Sequence, residues 1–228
     1  MEPLPDPTYW DDLTTGAQAA LLAAGEIVRI APRRPVLTPA TEPGEVFIIR
    51  QGLVKIVARA GSKQVVLALR GPGDILGESA CLDRRPGSSS ALAIGWVEVH
   101  RVTREPFADI LDRHPVVRDQ MVKTATARAR ESGRDRVAAA TMNVAQRLAR
   151  VLLKIALRYG LPSDDGGVTI PRLPVPDLAA YVGGGTSSVA RVIKNWRDRS
   201  ILATNPYSMT VHRPDDLHRI VGADAPPS

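Results

Sequence analysis

The stretch PDLAAYVGGGTSSVARVIKNWRDRSIL, residues 176–202, decides how the second half of the chain folds. Leu178, Ala179 and Val182 recur at the spacing of one helical face, and Gly183 tolerates the left-handed turn that two crossed helices require. Thr186, Ser187 or Ser188 can cap a second helix. Its inward positions Val189, Val192, Ile193 and Trp196 fall at i, i+3, i+4 and i+7. The opposite face presents Arg191, Lys194, Asn195 and Asp198. A helix-turn-helix whose second helix is cationic is suited to the major groove, with base edges met near that helix's start and phosphates met by flanking Lys and Arg. Thr186, Ser187, Ser188, Arg191, Lys194 and Arg197 are therefore the candidate DNA contacts. The segment ILATNPYSMTVHR that follows reads as two short strands around an Asn205-Pro206 turn, which makes a β-wing.

Upstream, Asn143 is a good N-cap for VAQRLARVLLKIALRY at 144–159, a helix that Gly160 closes. Val144, Leu148, Val151, Leu152, Ile155 and Tyr159 form its apolar face, with Arg147, Arg150, Lys154 and Arg158 on the other side. Asp164-Asp165-Gly166-Gly167 makes a turn before the short strand VTI. Thr103 can cap a short helix through Leu111, and Pro115 opens a long helical stretch to about residue 140. The sparse apolar positions of that stretch, Val117, Met121, Ala125 and Val137, predict a dimer seam rather than a core helix.

The first half reads differently. Thr15-Gly16-Ala17-Gln18 fits a capping box for a short helix near 15–24, with Gly25 as its left-handed stop. From residue 27 to 102 there follow brief β-branched runs, VFII at 46–49, LVKIVA at 53–58, QVVLAL at 64–69, ALAI at 91–94 and VEVHRV at 97–102. Turn residues separate them, and strands at roughly 8–12-residue spacing predict an antiparallel jelly roll. The expected partition is an effector-sensing jelly roll over 1–113, a dimerisation helix and hinge over 114–141, and a winged helix-turn-helix over 142–228. The fold class is thus α+β.

Charge supports that partition. The chain of 228 residues has 30 Lys plus Arg against 24 Asp plus Glu, a net charge of +6. Residues 1–103 carry 11 basic and 11 acidic side chains, whereas 142–213 carry 10 and 4. A neutral first half joined to a basic second half suggests a second module facing a polyanion. Cys81 is the single cysteine, which excludes a disulfide framework and multi-cysteine metal sites. The four histidines, His100, His114, His212 and His218, have no metal-ligand spacing, and no Gly-rich loop ends in Lys-Ser or Lys-Thr, so an enzyme is not expected. The start MEPLPDPTYWDDL lacks the charged and apolar regions of a signal peptide, and no apolar run reaches the ~20 residues of a membrane span. A cytoplasmic location is expected.

Over nearly its whole length the chain resembles the catabolite activator (CRP/FNR) family of bacterial transcription regulators. The residues that carry the resemblance are GEVFIIRQGLVKIV at 44–57, GPGDILGESACL at 71–82, NVAQRLARVLLKIA at 143–156 and DLAAYVGGGTSSVARVIKNW at 177–196. The resemblance implies a homodimer on a pseudo-palindromic double-stranded DNA site, in contact with RNA polymerase if it activates. It also implies that Gly77-Glu78-Ser79-Ala80 is a phosphate-binding cassette, whose backbone N–H groups meet a cyclic phosphate and whose Glu meets the ribose hydroxyl.

Two departures from the family pattern stand out. Cyclic-nucleotide binders place an Arg followed by Ser or Thr about ten residues beyond that Glu, where this chain has Ser88 and Ser89. A charge-assisted phosphate contact contributes roughly 1.5–3 kcal/mol, so its loss argues against cyclic AMP and leaves a different nucleotide-type effector, or none. Arg84 and Arg85 stand nearby and could substitute, Arg128 on the long helix could pair with Glu78, and Ser132 falls where the family's helix touches the base. In the recognition helix, Thr186 and Ser187 replace the family's base-reading Arg and Glu while Arg191 is retained, so the binding sequence should differ from the family consensus. The competing reading is a nucleotide-sensing module whose basic C-terminal domain docks an acidic protein.

Overall fold

A computed structural model describes residues 8–39, 45–61, 63–83 and 85–222. In chain order the elements are α1 (Thr15–Ala23), β1 (Glu26–Ile30), β2 (Pro35–Leu37), β3 (Val46–Gln51), β4 (Val54–Ala60), β5 (Lys63–Arg70), β6 (Ile75–Leu76), α2 (Glu78–Asp83), β7 (Ser90–Ala93) and β8 (Val97–Val102). Then come α3 (Arg104–Arg113), α4 (Pro115–Thr141), α5 (Val144–Tyr159), β9 (Leu161–Pro162), β10 (Val168–Pro171), α6 (Val175–Val182), α7 (Thr186–Asp198), β11 (Leu202–Thr204), β12 (Ser208–Val211) and α8 (Pro214–Gly222). The described residues form two compact units that divide within α4, between Gly133 and Arg134.

In the first unit two antiparallel sheets, ordered β1-β8-β3-β6 and β2-β7-β4-β5, make the predicted jelly roll. Phe47, Ile49, Val97 and Val99 from one sheet meet Val36, Val54, Ala91 and Ala93 from the other. The alternate residues Val46, Ile48 and Val102 face the opposite way, onto Leu21 of α1, Phe107 and Ile110 of α3, and the start of α4. β3 is therefore covered on both faces, which is why VFII is continuously apolar rather than alternating.

Several local expectations change. Thr14, not Thr15, caps α1 by accepting from the Ala17 N–H, and Gln18 reaches the Trp10 carbonyl at 2.9 Å instead of closing a box. Gly25 is no left-handed stop; a Cβ there would lie 2.3 Å from the Arg101 carbonyl oxygen and 2.6 Å from His100 Nε2, so close packing on β8 requires it. Thr103 occupies the N-cap of α3 without a side-chain cap bond. Most consequential, Val117 and Met121 of α4 are fully buried in their own unit's core, so they cannot line a seam between copies. Of the four apolar positions, Val137 is 63% exposed and Ala125 half-buried.

In the second unit Asn143 caps α5 with a complete capping box to Gln146. The sheet is ordered β11-β12-β10-β9, so the wing hairpin gains two further strands. Leu148, Leu152, Ile155, Ile170, Leu178, Val189, Trp196 and Leu217 are among its buried residues. The polar side of α5 is not a free cationic face. Arg150 and Lys154 pair with Asp135 at 3.1 and 3.7 Å, and Arg147 is spent on backbone carbonyls.

Candidate nucleic-acid interface and effector site

The turn between α6 and α7 follows from local chemistry. Gly183 sits at φ 62°, and the Gly184 N–H returns to the Ala179 carbonyl at 3.0 Å, a left-handed helix stop. Val189, Ile193 and Trp196 then bury one side of α7. The N-cap is Gly185, so Thr186, Ser187 and Ser188 are first-turn residues rather than caps, and no side chain caps the helix start. Thr186, Ser187, Ser188, Arg191, Lys194 and Arg197 are all exposed. Lys194 leans on Asp198 one turn on, at 3.1 Å.

Beside this helix the wing turn is rigidly built. Asn205 Oδ1 accepts from the Tyr207 and Ser208 N–H groups at 2.8 and 2.7 Å, and Arg172 Nη1 donates to the Asn205 carbonyl at 2.6 Å. Tyr207 is left 88% exposed at its tip. Neither Arg172 nor Tyr207 stood out in the sequence; an aromatic beside Asn-Pro in a turn was the available signal. At the turn before β10, hydrogen bonds from the Gly167 N–H and Ser163, with His212 alongside, hold the Asp165 carboxyl below the usual carboxylate range.

In the first unit Gly77, at φ 90° and with no room for a Cβ beside the Glu45 carbonyl, leads into α2. Glu78, the first residue of α2, is only 6% exposed. Arg128 Nη1 donates to Glu78 Oε1 at 2.5 Å, while Nη2 donates to the Ile75 carbonyl at 2.7 Å and lies 3.7 Å from Asp74. One turn further along α4, Glu131 pairs with Arg70 at 3.2 Å. The buried Tyr9 phenol also neighbours this cluster: burial, then the charges of Cys81 and Glu78, push its pKa above the ordinary range. The geometry thus brings Gly77, Glu78 and Arg128 together. Ser79 and Ser132 are exposed, Ala80 is half-buried, and Arg85, Ser88 and Ser89 lie on the loop after α2. Arg84 falls outside the described residues. Sequence reading anticipated Arg128 against Glu78 but missed Arg70, Asp74 and Glu131.

A jelly roll followed by a winged helix-turn-helix is the architecture of transcription regulators with a cyclic-nucleotide-binding domain. Family comparison agrees in both halves: residues 27–114 match the cyclic nucleotide-binding domain family and residues 146–220 the Crp-like helix-turn-helix domain family. The chain belongs to the CRP/FNR family of transcription regulators. It is 26% identical over 191 residues to the CRP-like cAMP-activated global transcriptional regulator of Mycobacterium tuberculosis, covering 82% of this chain and 85% of that one. Its fold is similar to that of FixK2 from Bradyrhizobium japonicum, with TM-score 0.73, 17% identity and coverage of 90% and 99%. It is also similar to that of the c-di-GMP-responsive regulator CLP from Xanthomonas campestris, with TM-score 0.69, 19% identity and coverage of 87% and 99%.

Proposed function

We propose that the protein acts as a cytoplasmic homodimer that reads a pseudo-palindromic duplex with two copies of α7. The observation that carries this reading is the exposed strip of Thr186, Ser187, Arg191, Lys194 and Arg197 on a helix whose other side is buried. Arg191 is assigned to guanine O6 and N7, the Thr-Ser-Ser run to neighbouring base edges and phosphates, and Lys194 and Arg197 to the backbone. The uncapped start of α7 leaves backbone N–H groups suited to a phosphate oxygen. Residues 114–141 would supply the dimer contact, through Ala125, Val137 and the exposed Val122 rather than Val117 or Met121.

For the sensor domain, the reading is an effector other than cyclic AMP, or none. Ser88 and Ser89 bring no guanidinium to a cyclic phosphate, and the Glu78 carboxylate is already engaged by Arg128. Cyclic AMP activates the mycobacterial relative and c-di-GMP acts on the structural neighbour, so both belong in the test. Calorimetry of the purified chain with cyclic AMP, cyclic GMP and c-di-GMP decides it: micromolar cyclic AMP binding would overturn this reading. An RNA polymerase contact is part of the proposal only if the protein activates transcription, which a reporter assay with and without the gene answers.

A further inference from the structure

Arg147 lies on the side of α5 opposite its apolar face, yet its guanidinium faces carbonyls from two helix ends. Nη1 donates to the Met142 carbonyl at 2.5 Å and lies 3.5 Å from that of Ala139; Nε donates to the Val182 carbonyl at 2.6 Å, and Nη2 lies 3.5 Å from that of Gly183. The first pair closes α4 and the second closes α6.

Those carbonyls need a donor for a definite reason. In an uninterrupted helix the Ala139 and Met142 carbonyls would accept from the N–H groups of residues 143 and 146. The capping box of α5 diverts both: Asn143 N–H donates to Gln146 Oε1 at 2.8 Å, and Gln146 N–H donates to Asn143 Oδ1 at 3.0 Å. At the other end, the left-handed stop sends the Gly183 and Gly184 N–H groups to the Ala179 carbonyl, and the chain turns away past Val182. Two helix ends thus present acceptors and negative dipole ends to one place, where a fixed positive fork satisfies them. A second tie joins the same three helices, because Asp135 of α4 meets Arg150 and Lys154 of α5, and Lys154 meets the hydroxyl of Tyr181 of α6 at 3.0 Å.

We infer that Arg147 is a positioning residue for DNA recognition: it locks α6 to the end of α4, and so fixes the direction in which α7 leaves the long helix. This rests on the homodimeric DNA-binding reading above. In a dimer that direction sets the distance between two recognition helices, and hence the spacing of half-sites the protein accepts.

The test uses the full-length chain and duplexes selected from random sequence with the wild-type protein. From them one builds a series with half-sites moved apart or together by single base pairs, and a single half-site. Wild type should prefer one spacing. Arg147→Gln should lose about tenfold or more at that spacing, flatten the preference, and change affinity for the single half-site by less than about threefold. Arg147→Lys, which keeps a charge but not the fork, should recover part of the preference and guards against a variant that fails to fold. If both variants keep the wild-type spacing preference, or lose single and paired half-sites in parallel, the positioning role is overturned while DNA binding stands. Wild-type protein with no selective duplex would overturn both.

Discussion

The Arg128 guanidinium meets the Glu78 carboxylate at 2.5 Å, with the side chains 18% and 8% exposed. Removing one member of a buried pair strands the other in a low dielectric. Arg128→Met should therefore destabilise the jelly-roll unit by about 3 kcal/mol, read as a lower urea midpoint with unchanged slope. Glu78→Gln combined with Arg128→Met should recover much of that loss, because no uncompensated charge then remains. A double variant less stable than Arg128→Met would count against the pair as the main contact.

Tyr9 is 1% exposed, and its hydroxyl finds no hydrogen-bond partner among the described residues. Tyr9→Phe should be more stable than wild type by about 1 kcal/mol in thermal or urea unfolding. The phenol's pKa is raised on folding, so ionisation leaves stability unchanged below the unfolded value near 10 and favours the unfolded chain as pH rises past it. Wild type should accordingly lose stability above pH 10 faster than Tyr9→Phe, and superimposable alkaline limbs would refute the assignment.

Gly77 combines φ 90° with a site where a Cβ would sit 2.4 Å from the Glu45 carbonyl oxygen. Backbone strain and backbone clash act together, so Gly77→Ala should cost about 2 kcal/mol or more. Gly61, also at positive φ but open to solvent, should cost about 1 kcal/mol as Ala. Equal losses would show that the close approach to Glu45 adds nothing.

For the reader helix, Arg191→Ala should relax one base position at a cost of about 1–3 kcal/mol, measured by competition between the selected duplex and single-base variants. Lys194→Ala should weaken all sequences evenly and lower the salt slope by about one.

Much of the fold was legible because it follows from periodicity. The Val189, Ile193 and Trp196 stripe fixed the inner side of α7, and the β-branched runs gave the main strands of the jelly roll. Short strands such as β6 and β9 left too little pattern to read, and α8 follows a proline that equally suits a turn. The apolar spacing of α4 was misleading at its start: Val117 and Met121 look the same in sequence whether they meet a partner copy or their own core. The site was legible where residue type dictates backbone conformation, as at Gly183 with its left-handed turn. It was not where role depends on a distant carbonyl, as for Arg147, or on a long-range ion pair, as for Arg70 with Glu131. Charge counting likewise placed the basic excess in the C-terminal half without revealing that Arg147, Arg150 and Lys154 are used internally.

Recognition of a specific duplex through α7 underlies the proposed function. Selection from random double-stranded DNA with the purified full-length protein, followed by titration of the enriched and a scrambled duplex over a range of salt, tests it most directly. A pseudo-palindromic sequence should be bound at least ~10³-fold more tightly than the scrambled one, with affinity falling steeply as salt rises. Equal affinity for both duplexes, or no enrichment at all, would contradict it.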